Sequence, residues 1–191
     1  TEASCLNNLS VFIEQNQTVN NFSINKSWSI LSGIEQRIKN KIEEAGVPLR
    51  DWNIQINYGI KTGFNEAFII SAEKKDELIA EDTKSAEIIR PILRGRDIKR
   101  YGYQFANLYL ICTFPSRNYD IENFPAIKKY LLTSGYERLE QSGKTYIVNG
   151  EKITARKKTN NKWFETQDSI SYWDDFYKQK IVWGNLCLSA Q

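Results

Sequence analysis

Two carboxylates and a lysine in this 191-residue chain have the spacing of a metal-dependent nuclease. Asp82 is followed, fifteen residues later, by Asp97-Ile98-Lys99. Paired carboxylates can hold a magnesium ion, and a neighbouring lysine can help to activate water. The pattern is short and arises by chance in charged chains. Cleavage of DNA by Asp82, Asp97 and Lys99 is therefore an alternative rather than the preferred interpretation.

Other catalytic sets are missing from the sequence. The chain has no histidine, which excludes Ser/His and Cys/His nucleophilic schemes and most zinc sites. No two glycines are closer than four residues apart, so no GxGxxG element binds a nucleotide or S-adenosylmethionine. Cys5, Cys112 and Cys187 form neither a disulfide framework nor a CxxC pair, and they suit a reducing cytoplasm. We predict no catalytic site and no bound cofactor or metal for this chain.

Positive charge is concentrated in two segments, although the net charge is only +3. Residues 90–100 contain five basic residues and one acid, and residues 152–162 contain five basic residues and no acid. The remainder of the chain is acidic. Such clustering is typical of a surface that faces phosphates, and solvated charged faces are the alternative.

The first candidate for DNA contact is the segment 58–70, YGIKTGFNEAFII. Two glycines bracket Lys61 and Thr62, which allows a tight turn and exposes amide groups to a ligand. Lys61 and Thr62 suit phosphate oxygens, and Asn65 suits a phosphate or a base edge. A structural turn with a surface lysine is the alternative.

The second candidate is the segment 87–101, EIIRPILRGRDIKRY. Arginine can bridge phosphate oxygens or bind guanine through two hydrogen bonds. The predicted contacts are Arg94, Arg96, Lys99 and Arg100. Alternatively, Asp97 pairs with a neighbouring arginine in an internal cluster that supports the loop.

The third candidate is the segment 155–168, ARKKTNNKWFETQD. A basic loop beside aromatic residues can follow the phosphate backbone while its amides read base edges. The predicted contacts are Arg156, Lys157, Lys158, Asn160, Asn161 and Lys162. A solvated loop is the alternative.

Local patterns predict an α+β domain with a mixed or antiparallel β-sheet and several packing helices, preceded by a connector. A capping box formed by Ser32 and Glu35 begins a helix that Gly46 ends. Asn149-Gly150 predicts a hairpin with a type I′ turn. The other predicted elements are one or two strands or a connector over 1–27, strands at 54–56, 67–70, 108–114 and 180–183, a helical stretch from about 73 to 90, and a helix at 124–140 that Gly135 weakens or divides.

The same segments resemble a known family. GIKTGFNEAFII, EIIRPILRGRDIKRY, FPAIKKYL, KWFETQD and FYKQKIVW occur in the order found in the TaqI-like C-terminal specificity domain of adenine-specific restriction-modification methyltransferases. The resemblance covers about residues 26–185. It implies that residues 1–26 connect to an upstream domain and that residues 27–191 form a target-recognition domain truncated at its C-terminus.

The resemblance also implies a function. In such Type IIG-like bacterial enzymes a separate catalytic domain binds S-adenosylmethionine and methylates a flipped adenine, while the specificity domain holds the duplex and reads its sequence. We therefore expect double-stranded DNA and the methyltransferase domain of the same chain as partners, a cytoplasmic location and no membrane segment. A protein-docking module of the same system is a further alternative.

Overall fold

The computed structural model describes residues 9–17, 22, 24 and 28–183 of the chain. Most of the predicted connector and the last residues of the predicted domain, including Cys5 and Cys187, lie outside the described residues. The chain divides into two compact units, Thr1–Ile56 and Asn57–Gln191. Each unit is described by itself.

Among its described residues, the first unit contains the α-helices α1 (Leu9–Asn16) and α2 (Gly33–Ala45) and a 3₁₀ turn at Leu49–Asp51. The capping box predicted for α2 is confirmed, because the Ser32 hydroxyl accepts from the backbone N–H of Glu35 and the Glu35 carboxylate accepts from the backbone N–H of Ser32. Residues 9–16 form a helix, within the region where one or two strands or a connector were expected. The strand predicted at 54–56 is also wrong: Ile54 and Ile56 are exposed, and alternation of apolar residues makes no strand without a pairing partner.

The second unit is built on a three-stranded antiparallel sheet whose central strand comes last of the three in sequence. The strands are β1 (Ile69–Ser71), β2 (Ile89–Pro91) and β5 (Leu108–Ile111). The strand predicted within 108–114 is confirmed as the central strand, and burial continues beyond it through Cys112, Thr113 and Phe114. An α+β fold with an antiparallel sheet is therefore confirmed.

Two predicted boundaries shift around this sheet. Residues 65–68 form a short helix, α3 (Asn65–Phe68), so only the end of the strand predicted at 67–70 is extended. The helical stretch predicted from about 73 to 90 ends early: α4 spans Ala72–Glu81, a 3₁₀ turn covers Thr83–Glu87, and β2 follows. The Asp82 carboxylate accepts from the backbone N–H of Lys84, which begins the 3₁₀ turn and stops α4.

The following elements agree with the local signals. Helices α5 (Pro125–Leu132) and α6 (Tyr136–Leu139) are separated at Gly135, whose φ of 84° a residue with a side chain rarely adopts. The hairpin β6–β7 (Thr145–Val148 and Glu151–Thr154) turns at Asn149 and Gly150, with φ values of 52° and 84°. A smaller ribbon, β3–β4 (Ile98–Lys99 and Gly102–Tyr103), lies between β2 and β5 in sequence.

Between β7 and residue 183, where the description ends, the chain packs against the core without forming a strand. The Thr113 hydroxyl donates to the Phe164 carbonyl at 2.6 Å, and the Thr166 N–H donates to the Thr113 carbonyl at 2.9 Å. Further on, the strand predicted at 180–183 is wrong, because its apolar side chains are exposed and no strand pairs with it among the described residues. The core thus holds the segment around residue 165 in place through side chains and single backbone bonds.

The core contains the thiol of Cys112. Burial raises the pKa of the Cys112 thiol to about 12, so the group stays protonated and unreactive at neutral pH.

No helix in the described part of the chain is long and apolar enough to cross a membrane.

Candidate nucleic-acid interface

The first predicted contact segment is a turn that precedes α3, which we call the first loop (residues 58–65). The Thr62 side chain is buried: its hydroxyl donates to Asn65 Oδ1 at 2.7 Å and accepts from the Phe64 N–H at 3.1 Å. Gly63 has a φ of 79°, which lets the chain reverse. Lys61 and Asn65 are exposed. Thr62 is therefore an internal brace of the turn, and its buried hydroxyl is not accessible to DNA.

The third predicted segment forms the second loop (residues 155–170). Within this loop the Arg156 side chain points into the protein rather than toward the surface. Arg156 is only 3% exposed. The guanidinium donates to four backbone carbonyls, those of Leu139 (2.8 Å), Thr62 (2.9 Å), Glu165 (2.8 Å) and Trp163 (2.6 Å). Counting basic residues along the sequence cannot distinguish this buried arginine from its exposed neighbours.

Arg156 carries its positive charge in spite of this burial. Desolvation lowers the pKa of its guanidinium to about 10, which is still well above neutral pH. The guanidinium also lies 5.0 Å from the centre of the Phe68 ring. The predicted DNA contact at Arg156 is thus replaced by a structural role: one charged group joins four carbonyls from three separate segments.

A second brace fixes the outer part of the second loop. Gln141 donates to the carbonyls of Lys162 and Glu165 and accepts from the Thr159 hydroxyl. The Asn161 amide donates to the carbonyls of Thr166 (3.1 Å) and Gln167 (3.0 Å). The Asn161 side chain is therefore used to hold the loop, whereas Asn160 is exposed.

Direct bonds join the two loops. The N–H groups of Gln167 and Asp168 donate to the carbonyls of Thr62 and Lys61, each at 3.2 Å. The Tyr172 hydroxyl donates to the carbonyl of Tyr58 at 3.0 Å. The first and third predicted segments, about a hundred residues apart in sequence, therefore form one continuous surface, which we call the paired-loop surface.

Two shallow depressions of about 470 Å³ each flank the junction of the loops. Both are lined by Lys61 and Gln167. The first also contains Tyr58, Asp168 and Tyr172, and the second contains Glu66 and Arg138. Amide and carboxylate groups are the donors and acceptors that read base edges, and lysine suits the adjoining phosphates.

The paired-loop surface keeps its lysines available. The exposed members of the predicted set here are Lys61, Asn65, Lys157, Lys158, Asn160 and Lys162. No acidic side chain among the described residues forms an ion pair with any of these lysines. Lys61 and Lys162 lie 5.7 and 5.6 Å from the ring centres of Tyr58 and Phe164, respectively. The surface thus presents lysines that have no ion-pair partner, two of them beside aromatic rings.

The second predicted segment lies at the β3–β4 ribbon. Arg94 donates to both carboxylate oxygens of Asp97, at 3.0 and 2.9 Å, and its backbone N–H donates to the same carboxylate at 2.8 Å. These bonds lower the pKa of Asp97 to about 2. Arg94 is thus engaged in the internal pair given as the alternative, whereas Arg96, Lys99 and Arg100 are exposed.

The three residues of the nuclease alternative each have a local hydrogen-bond partner. Asp82 caps the 3₁₀ turn at 83–87, Asp97 is bound by Arg94, and Lys99 Nζ donates to the Arg96 carbonyl. In the described part of the chain, no three His, Cys, Asp or Glu residues cluster as metal ligands. Both carboxylates have their own nearby partners.

Sequence reasoning did not identify Gln141, Tyr58, Gln167 or Tyr172. The partners of Gln141 are 18 to 24 residues away, so no local spacing marks it. Tyr58 and Gln167 lie within the segments already singled out, and their types suit nucleic-acid contact.

Comparison with known proteins identifies no relative: no family model, no curated protein and no solved structure matches the chain.

Proposed function

We propose that this chain binds double-stranded DNA through the paired-loop surface and reads its sequence there. The observation that carries the proposal is the junction of two predicted contact segments into one braced surface with four exposed lysines, Lys61, Lys157, Lys158 and Lys162. The resemblance of its motifs to a TaqI-like specificity domain supports a role as the target-recognition domain of a restriction-modification adenine methyltransferase. On this proposal S-adenosylmethionine binds to a separate catalytic domain, and the protein acts in the bacterial cytoplasm.

The physical case depends on charge and on rigidity. Lysines that are not neutralised by neighbouring acids can replace the counterions of DNA phosphates, and release of these ions favours binding. The braces from Arg156, Gln141 and Asn161 fix the backbone of the loops before DNA arrives. Fixed loops lose less conformational entropy on binding, so more of the contact energy appears as affinity. Asn65, Asn160 and Gln167 then supply amides for base edges.

Replacing Lys157, Lys158 and Lys162 together with alanine is expected to weaken binding of duplex DNA at least about tenfold at 50 mM salt. Each lost phosphate contact should also reduce the slope of log affinity against log salt by about 0.9. Fluorescence anisotropy with a random-sequence duplex pool, measured from 50 to 200 mM salt, gives both quantities.

A matched control removes three lysines from another part of the same unit. Lys84, Lys128 and Lys129 lie on the 83–87 turn and on α5, and the ion pairs of Lys128 and Lys129 are exposed and contribute little stability. This triple variant makes the same change in net charge and should keep a salt slope close to that of the wild type. Equal losses in the two variants would show that only net charge matters, and the proposed surface would be wrong.

A further inference from the structure

The β3–β4 ribbon carries an exposed aromatic ring at its tip. Lys99 pairs with Gly102, so Arg100 and Tyr101 form a two-residue turn. Tyr101 is 92% exposed, which is high for a residue whose large ring could pack on the adjoining strands. The Arg100 guanidinium lies 5.3 Å from the centre of this ring, which places a positive charge against it.

The base of the ribbon is fixed by the internal ion pair. Asp97 binds the side chain and the backbone N–H of Arg94, and its carbonyl accepts from the N–H of Gln104 at 2.8 Å. The bond from Gln104 to Asp97 joins the two sides of the ribbon at the end opposite its turn, and the bonds from Arg94 fix Asp97 there. The tip is therefore presented in a defined position rather than as a long flexible loop.

The charge of the tip is strongly positive. The carboxylate of Asp97 is buried and engaged by Arg94, so it does not neutralise the exposed residues around it. Arg96, Lys99 and Arg100 have no ion-pair partner among the described acidic residues. Three cations without an ion-pair partner around an exposed tyrosine match the combination of phosphate contact and base stacking by which proteins hold unpaired nucleotides.

We propose that the β3–β4 tip is a second DNA contact, at which Tyr101 stacks on a base that has left the helical stack while Lys99 and Arg100 bind the adjoining phosphates. This inference rests on the proposed function, since it takes DNA as the partner. Three clustered cations without an acidic ion-pair partner favour a partner that carries phosphates.

The test compares two duplexes of the same sequence that contain 2-aminopurine, one with this base paired and one with it as a single-base bulge. The wild-type protein should bind the bulged duplex about tenfold more tightly and quench the fluorescence of the bulged base. Tyr101→Ala should abolish the preference and the quenching while binding the paired duplex as the wild type does. Tyr101→Phe, which keeps the stacking face, should retain both.

The outcomes separate this inference from the proposed function. Binding of both duplexes with equal affinity, or a preference that Tyr101→Ala leaves intact, would overturn stacking by Tyr101 while leaving the paired-loop surface in place. A Tyr101→Ala protein that is weakened equally on both duplexes would also overturn it. If the wild type binds neither duplex, the proposed function and this inference both fail, and a protein partner becomes the better interpretation of the tip.

Discussion

Replacing Arg156 with alanine is expected to lower the free energy of unfolding by about 2–4 kcal/mol. The substitution removes hydrogen bonds to four carbonyls and leaves a cavity against the Phe68 ring. A hydrogen bond that involves a charged group contributes about 1.5–3 kcal/mol to stability. Removing the guanidinium also removes the cost of burying its charge, and this offsets part of the lost stability. Urea unfolding followed by near-ultraviolet circular dichroism measures the change.

Lys157 provides the matched control because it is the next residue and is exposed. Lys157→Ala should change stability by no more than about 0.5 kcal/mol. Arg156→Lys keeps a charge, but a single ammonium group has only three donors and cannot span the same four carbonyls, so it should also destabilise the protein. If Arg156→Ala is as stable as Lys157→Ala, the assignment of Arg156 as an internal brace is wrong.

Replacing Gly63 with alanine is expected to destabilise the second unit by about 1–3 kcal/mol and to separate the two loops. Gly63 has a φ of 79°, and an added Cβ would lie 2.8 Å from Gln167 Oε1 and 3.1 Å from Arg156 Cδ. The Gln167 side chain can move, but the buried stem of Arg156 is held by its four bonds. Faster hydrogen exchange at the amides of Gln167 and Asp168, which bind the first loop, would report the separation.

Gly59 lies in the same loop and serves as the comparison. Its φ is not positive, and an added Cβ would meet nothing within 4 Å. Gly59→Ala should leave both the stability and the exchange of Gln167 and Asp168 close to wild-type values. Equal effects at the two glycines would contradict the close approach of the loops at Gly63.

Elements that are determined by neighbouring residues could be predicted from the sequence. The capping box at Ser32 and Glu35 and the turn at Asn149-Gly150 use bonds and backbone angles within a few residues, and both are confirmed. The strands expected at 54–56 and 180–183 are wrong because a strand requires a partner, which short apolar runs do not specify.

The site was only partly predictable for a similar reason. Residue types indicated which segments could contact DNA, but burial decides which side chains remain available. Arg156 and Lys157 are adjacent and both basic, yet one is in the core and the other at the surface. The pairing of the two loops depends on contacts such as that between Asp168 and Lys61. These residues are too far apart in sequence for a local pattern to predict the contact.

The paired-loop surface is tested most directly by measuring how DNA protects individual lysines from acetylation, with mass spectrometry of the wild-type protein at low salt. Lys61, Lys157, Lys158 and Lys162 should be protected by saturating duplex, while Lys84 and Lys129, on the 83–87 turn and α5, react at unchanged rates. Binding without protection of the four loop lysines, or protection spread evenly over all six, would contradict the assignment of this surface to DNA.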